Sequence, residues 1–287
     1  DSKKDEWVYV KKTSKTTTKV TDLSSAKSYK FRVRVYNDKN NKGSYSSSVK
    51  AVTKPKKVTS LSYSDLTTST ATLKWGKVTR ATGYRVYQYD AAAKKWNRIK
   101  ETSKTSLSVS GLNAGQAYKF KVRAYYKSGN TTKYGSYSSV LTVVAKPSKV
   151  NNLAVTNVRD TSYTLKWDKV SGAEKYEVYI RNGRKWTRLT TTSKTSYTVK
   201  KDGKKKSLKP DEEYKFRVRA VVDSVKGKYS SSLTVETIPE TMSKLTLKAG
   251  KKQLTASWSS VSGISGYEVQ YSTSKKMKNA KKVSVKK

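Results

Sequence analysis

The sequence predicts an all-β chain made of tandem β-sandwiches, and three observations carry that prediction. The first is alternation. Tyr118-Lys119-Phe120-Lys121-Val122-Arg123-Ala124 places aromatic and aliphatic side chains at every second position and Lys or Arg between them. A period of two is a strand with one face buried and one in water. The second is repetition. The same pattern returns as Tyr29 to Val35 and as Tyr214 to Ala220, while Pro55, Pro147 and Pro239 are each 92 residues apart. Trp75, Trp167 and Trp258 keep almost the same interval. The third is the short spacing of the strand-like runs, with no helical periodicity between them, which is the signature of a sandwich.

A unit of this length is a small domain with its own core rather than one turn of a solenoid. In 55–146 seven strands are expected, near 57–62, 70–75, 83–89, 95–100, 105–109, 117–126 and 136–144. Gly, Ser, Asn and Lys fill the turns between them. In the second copy Asn182-Gly183 reads as a type I′ hairpin turn. The copies differ where loops belong. The second has a shorter hairpin and a longer segment between Val199 and Leu208, holding Lys200-Lys201-Asp202-Gly203-Lys204-Lys205-Lys206. That run reads as a solvated loop.

These residues resemble the fibronectin type III family. The resemblance rests on Trp75, Trp167 and Trp258, and on Gly83-Tyr84-Arg85-Val86-Tyr87. It rests also on Leu112 followed by Tyr118 and Leu208 followed by Tyr214, which look like the family's tyrosine corner. Tyr137-Ser138-Ser139 and Tyr229-Ser230-Ser231 complete the set. The resemblance implies tandem fibronectin type III, immunoglobulin-like β-sandwiches. It divides the chain into a C-terminal half domain at 1–54, whole domains at 55–146 and 147–238, and an N-terminal half domain at 239–287. The end segments are expected to exchange amides readily or to pair with each other between chains. The junctions at Pro55, Pro147 and Pro239 are short and lack Gly, so an extended rod is expected. The Lys-, Ser- and Thr-rich style of 266–276 is similar to repeats in surface proteins of Gram-positive gut clostridia. The chain opens at Asp1 without Met, as a processed or partial sequence would.

Composition narrows the chemistry. Lys and Arg number 63 against 20 Asp and Glu, a net charge of +43. A field of one sign attracts polyanions. With no Cys and no His, there is no disulfide or thiol nucleophile, and the commonest general base and metal ligand is missing. No apolar run approaches the roughly 18 residues of a membrane span. No cofactor, metal site or catalytic residue is expected. Asp211-Glu212-Glu213 occupies a turn that has no carboxylate in the other copies, and a catalytic carboxylate pair needs a cleft between its members.

The candidate ligand face is the basic side of the alternating strands. With Tyr84, Val86 and Ile99 pointing inward, Arg85, Tyr87, Tyr89, Trp96, Arg98 and Lys100 point outward beside Lys119, Lys121 and Arg123. The second copy supplies Tyr179, Trp186, Arg188, Lys215, Arg217 and Arg219; the first segment supplies Trp7, Tyr9, Lys30, Arg32 and Arg34. Two readings stay open. The aromatics serve as sugar platforms among anion-binding cations, or they cover the aliphatic stems of Lys and Arg across strands. The function expected is a non-enzymatic spacer and adhesion segment of a larger secreted or cell-surface bacterial protein, associating with anionic cell-wall polymers. The alternative is a carbohydrate-binding accessory array beside a glycan-degrading domain. No specific nucleic acid is expected as partner, because charge alone sets no sequence preference.

Overall fold

The alternation of Phe120, Val122 and Ala124 with Lys121 and Arg123 becomes the central strand of a two-sheet sandwich. In the computed structural model, which describes residues 7–261 and 264–286, every regular element is a strand. Residues 1–6 and 287 of the end segments lie outside the described residues. Among the described residues no helix is long and apolar enough to cross a membrane. The chain divides into two units, 1–145 and 146–287.

The first unit begins with the antiparallel pair β1 (Ser28–Phe31) and β2 (Val49–Val52). The first complete repeat follows with β3 (Ser62–Ser64), β4 (Ala71–Lys74), β5 (Gly83–Asp90), β6 (Lys95–Thr102), β7 (Ser106–Val109), β8 (Ala117–Ser128), β9 (Thr131–Tyr134) and β10 (Leu141–Val144). One sheet runs β3-β4-β7. The other runs β10-β8-β5-β6, with β9 also on β8. Their inner faces enclose one core, in which Leu73, Val86, Phe120, Val122, Ala124 and Val143 are fully buried and Trp75 packs edge-on to Tyr84.

The second unit repeats the plan. Its elements are β11 (Ala154–Thr156), β12 (Tyr163–Lys166), β13 (Lys175–Asn182), β14 (Lys185–Thr192), β15 (Ser196–Val199), β16 (Glu213–Val222), β17 (Val225–Lys226) and β18 (Leu233–Glu236). The sheets are β11-β12-β15 and β14-β13-β16-β17, with β18 on β16. Leu165, Val178, Ile180, Phe216, Val218 and Ala220 fill the core. Two further pairs close the chain, β19 (Thr246–Gly250) with β20 (Gln253–Ser257) and β21 (Gly266–Tyr271) with β22 (Lys281–Lys286).

Two tyrosine locks recur. Tyr118 and Tyr214 accept the amides of Asn113 and Lys209 at 2.7 and 3.0 Å, and Tyr29 accepts that of Ser24 at 2.8 Å. Tyr84, Tyr176 and Tyr267 accept the amides of Val78, Val170 and Val261, each at 2.8 Å. Each lock satisfies a loop amide with a side chain anchored in or beside the apolar layer, so the turn cannot drift from the sheet.

Several expectations need correction. The first strand spans only Ser62–Ser64 rather than 57–62. The last is not continuous over 136–144. Only Leu141–Val144 of it is strand, as β10, while β9 at Thr131–Tyr134 is a further strand outside the expected ranges. Ser138 ties the stretch between them to β8: its amide donates to Val122 O at 2.7 Å while its hydroxyl accepts the Val122 amide at 3.0 Å. Ser230 does the same for Val218 and Ser46 for Val33. A hydroxyl standing in for a carbonyl lets the strand bend without leaving a buried amide unpaired. The hairpin turns on Gly183-Arg184 rather than Asn182-Gly183, because Asn182 still pairs with Lys185. Gly183 alone has positive φ, +56°, as a type II′ turn requires at its first central position.

Ile99 is 38% exposed rather than buried. A bulge opposite Val86 and Tyr87 shifts the register, so Arg98 faces Tyr87 whereas Lys100 faces Val86. Lys100 therefore leaves the basic face. Nothing in a strict alternation signals an extra residue.

Candidate functional site

The outer face of β5, β6 and β8 is a stack of alternating cations and rings. β8 supplies Lys121 and Arg123, β5 supplies Tyr87 and Arg85, and β6 supplies Trp96. The bent segment between β9 and β10 supplies Tyr137, held in place by Ser138. Lys121 Nζ lies 4.2 Å from the Trp96 ring and 4.0 Å from Tyr137. Arg123 lies 4.8 Å from Tyr137 and 4.2 Å from Tyr134, and Arg85 reaches Tyr134 at 4.5 Å. In the second repeat Arg217 sits between Trp186 at 4.2 Å and Tyr229 at 3.6 Å, and Arg219 follows at 4.6 Å from Tyr229. In the first segment Arg32 sits between Trp7 and Tyr45, each at 4.0 Å, with Arg34 4.4 Å from Tyr45. One device has thus been built three times.

The stack is partly dry. Tyr87 is only 8% exposed, so it is no open platform. It receives a hydrogen bond from Arg123 at 2.9 Å and packs edge-on to Tyr137. Lys121, Arg123, Tyr179, Trp186, Lys215, Arg217 and Arg219 are half-buried. Burial, with Arg123 alongside, pushes the Lys121 ammonium below its usual range. Lys119, Arg98 and Arg188 remain exposed. The side chains chosen from alternation do share one face in each repeat, Lys100 excepted. The reading in which aromatics cover the cation stems describes the packing.

Two carboxylates escaped the sequence reading. Glu177 is buried on the basic face of β13, where the first repeat has Arg85. The Arg219 guanidinium reaches it at 2.7 Å, Arg188 at 3.0 Å, and the Tyr179 hydroxyl donates to it at 2.9 Å. Burial alone would raise this carboxyl, but the bonds from Arg219, Tyr179 and Arg188 outweigh it and hold it below the usual range. Tyr179 is pushed up to about 12, first by burial and then by the neighbouring carboxylate. In the first repeat the carboxylate moves to the edge strand. There Glu101 takes Arg85 at 2.7 Å and Arg98 at 3.3 Å. A signal was available: Glu177 breaks the run of cations at an outward position between Tyr176 and Val178. Tyr137 and Tyr229 were also missed as members of the face, because the bend that aims them is not legible in a strand pattern.

Among the described residues no three His, Cys, Asp or Glu side chains gather as metal ligands would. Asp211, Glu212 and Glu213 are exposed. The arrangement can fix the sheet and present charge at its rim.

The model of the fibronectin type III domain matches residues 55–140 and 146–236, the two complete sandwiches just described.

The chain belongs to the fibronectin type III family.

Exoglucanase B of Cellulomonas fimi is 30% identical over 204 residues, covering 64% of this chain and 18% of that protein. Chitinase A1 of Niallia circulans is 30% identical over 191 residues, covering 61% of this chain and 25% of that protein. Tenascin-N of Homo sapiens is 26% identical over 264 residues, covering 90% and 19%. The chain therefore spans a quarter or less of each of these relatives. The tandem fibronectin type III repeats are what this chain has in common with them.

Proposed function

We propose that the chain is a non-catalytic spacer and association segment of a longer, secreted or cell-surface bacterial protein. The observation that carries this reading is the pair of self-contained cores, one in each complete repeat, with the outer face of each spent on internal stacking rather than left open as a cleft. Fibronectin type III domains are in general non-catalytic modules, and the bacterial relatives are much longer proteins. Flanking domains of the parent protein would supply any chemistry.

The finer part of the proposal is electrostatic. With a net charge of +43, the chain associates with anionic cell-wall polymers through its exposed cations. Exposed charges are screened beyond about 8 Å at physiological ionic strength. The full chain is expected to pellet with walls bearing teichoic acid at low salt and to be released at moderate salt. Retention unchanged by salt overturns the electrostatic mechanism.

A second reading is favoured by the names exoglucanase and chitinase. In it the repeats are a carbohydrate-binding accessory array beside a glycan-degrading domain, with Trp96 and Trp186 as sugar platforms. Pull-down on insoluble cellulose or chitin at high salt separates the two. Binding that survives salt and fails in Trp96→Ala with Trp186→Ala supports the array.

A further inference from the structure

The basic loop of the second repeat is not the free excursion its composition suggests. It is closed on itself. Lys201 bridges to Ser207, the Asp202 amide donates to Lys206 O at 2.8 Å, and the Lys205 amide donates to Asp202 O at 3.0 Å. The Asp202 carboxylate accepts the amides of Lys204 and Lys206 at 2.8 and 2.9 Å. The one acid of the loop is thus occupied by its backbone. The loop is also docked. Gly203 lies so close to β13 and β14 that a Cβ there would stand 2.9 Å from Ile180 Cγ2 and 3.0 Å from Thr187 Cβ. It is folded down beside the β13–β14 hairpin, whose turn carries Arg184 and is followed by Lys185.

We propose that this loop and hairpin form a docking site for a linear anionic polymer of polyol or sugar units bearing closely spaced phosphate or sulfate groups. Lys201, Lys204, Lys205, Lys206, Arg184 and Lys185 are all exposed. None of them is in an ion pair among the described residues. This differs from the sheet face, where Arg217 and Arg219 are held under Tyr229 and Glu177 absorbs part of the charge. Two acids of the same end, Glu213 and Glu236, are laddered to each other on β16 and β18, on the flank of β16 away from β13. No aromatic residue occurs in 181–185 or 200–207. The next residue of the hairpin, Trp186, is stacked on Arg217 at 4.2 Å, so the loop and turn themselves offer none of the stacking platforms that single-stranded nucleic acids use. A loop fixed before binding loses less conformational freedom on contact than a floppy lysine run. The first repeat is six residues shorter at this place and has no such loop. The proposal rests on the association with anionic polymers proposed above and gives it a location.

The test uses the full chain over immobilised polyglycerol phosphate in one arm and heparin in the other. Three variants are compared. One changes Lys201, Lys204, Lys205 and Lys206 to Ser. A second changes four exposed lysines of the first repeat, Lys94, Lys95, Lys104 and Lys127, to Ser. The third is Gly203→Val, which keeps every charge and lifts the loop from the hairpin. The loop variant is expected to lose tenfold or more in affinity, the first-repeat variant less than threefold, and Gly203→Val several-fold. Loss in the polyglycerol phosphate arm alone assigns the site to phosphate, loss in the heparin arm alone assigns it to sulfate, and each supports the proposal. Equal losses in the two four-lysine variants overturn it while leaving diffuse association intact. A single-stranded oligonucleotide that binds as tightly, and depends equally on the loop, also overturns it. A parent chain that binds neither polymer removes the broader reading as well.

Discussion

Glu177 faces Arg219 across the β13–β16 ladder, carboxylate to guanidinium at 2.7 Å, on the basic face of the second repeat. Both groups are shielded from water, with side-chain exposures of 6% and 15%. Removing one partner leaves the other charge buried. Glu177→Gln is expected to destabilise the second repeat by about 2–3 kcal/mol, at or below the low end of the range for broken buried pairs because Arg188, the exposed partner, can turn to water. Denaturant melts at pH 7 measure it.

The same carboxylate gives a pH dependence of defined sign. Its folded-state value is depressed, so the unfolded state binds more protons in the acid range and stability rises with pH there. The contribution is present above the unfolded value, about 4.3, and is lost as pH falls through the lower folded value. Between pH 7 and pH 3 the parent should lose more stability than Glu177→Gln does. Equal losses would show that Glu177 is not the group responsible.

Arg217 and Arg219 are structural as well as basic. Replacing both by Ser should cost about 2–4 kcal/mol, from lost stacking and from the orphaned Glu177. Lys119→Ser, at an exposed position of β8, should stay within about 0.5 kcal/mol. Thermal unfolding of the two variants beside the parent is the check. Similar midpoints for both would mean that the stack contributes nothing.

Ser138 and Ser230 each pair an amide of the central strand. Ser138→Ala and Ser230→Ala should each cost about 1–2 kcal/mol, the penalty for an unpaired buried amide. Hydrogen exchange of Val122 and Val218 should accelerate while that of Phe120 and Phe216 changes less.

Protection should be uneven along the chain. Val33 and Val35 of the first segment are 73% and 76% exposed, whereas their counterparts Val122 and Ala124 are fully buried. Leu247 and Leu254 of β19 and β20 are 63% and 68% exposed. Strands without a covering layer open at low free energy. Amides of β1, β2 and β19 to β22 should exchange faster than those of β5, β8, β13 and β16 in a dilute monomer. Uniform protection would contradict the exposure seen here.

Period-two alternation around Phe120 and Phe216, and the repeat of Trp75 in Trp167, made the sandwich and its inner face readable before any coordinates. Burial is enforced residue by residue along a strand, so it leaves a local trace. The basic face was readable in the same way. Its consequences were not: Tyr87 is covered by Tyr137, and Lys100 is turned off the face by the bulge. Both depend on how a second strand is offset, and no single strand records that. Glu177 was visible in the sequence but meant nothing until β16 lay beside β13.

By itself, the sequence determined that this chain is all β, that its unit repeats, where the two cores lie, and that its surface is strongly basic. These follow from periodicity and composition, which act over short stretches. Only the tertiary structure decided which cations are open to a partner. Arg217 and Lys121 look as free as Lys204 in the chain, yet the first two lie between rings and the third stands on a docked loop. That difference arises because solvation of a charge depends on what strands and loops distant in sequence place over it.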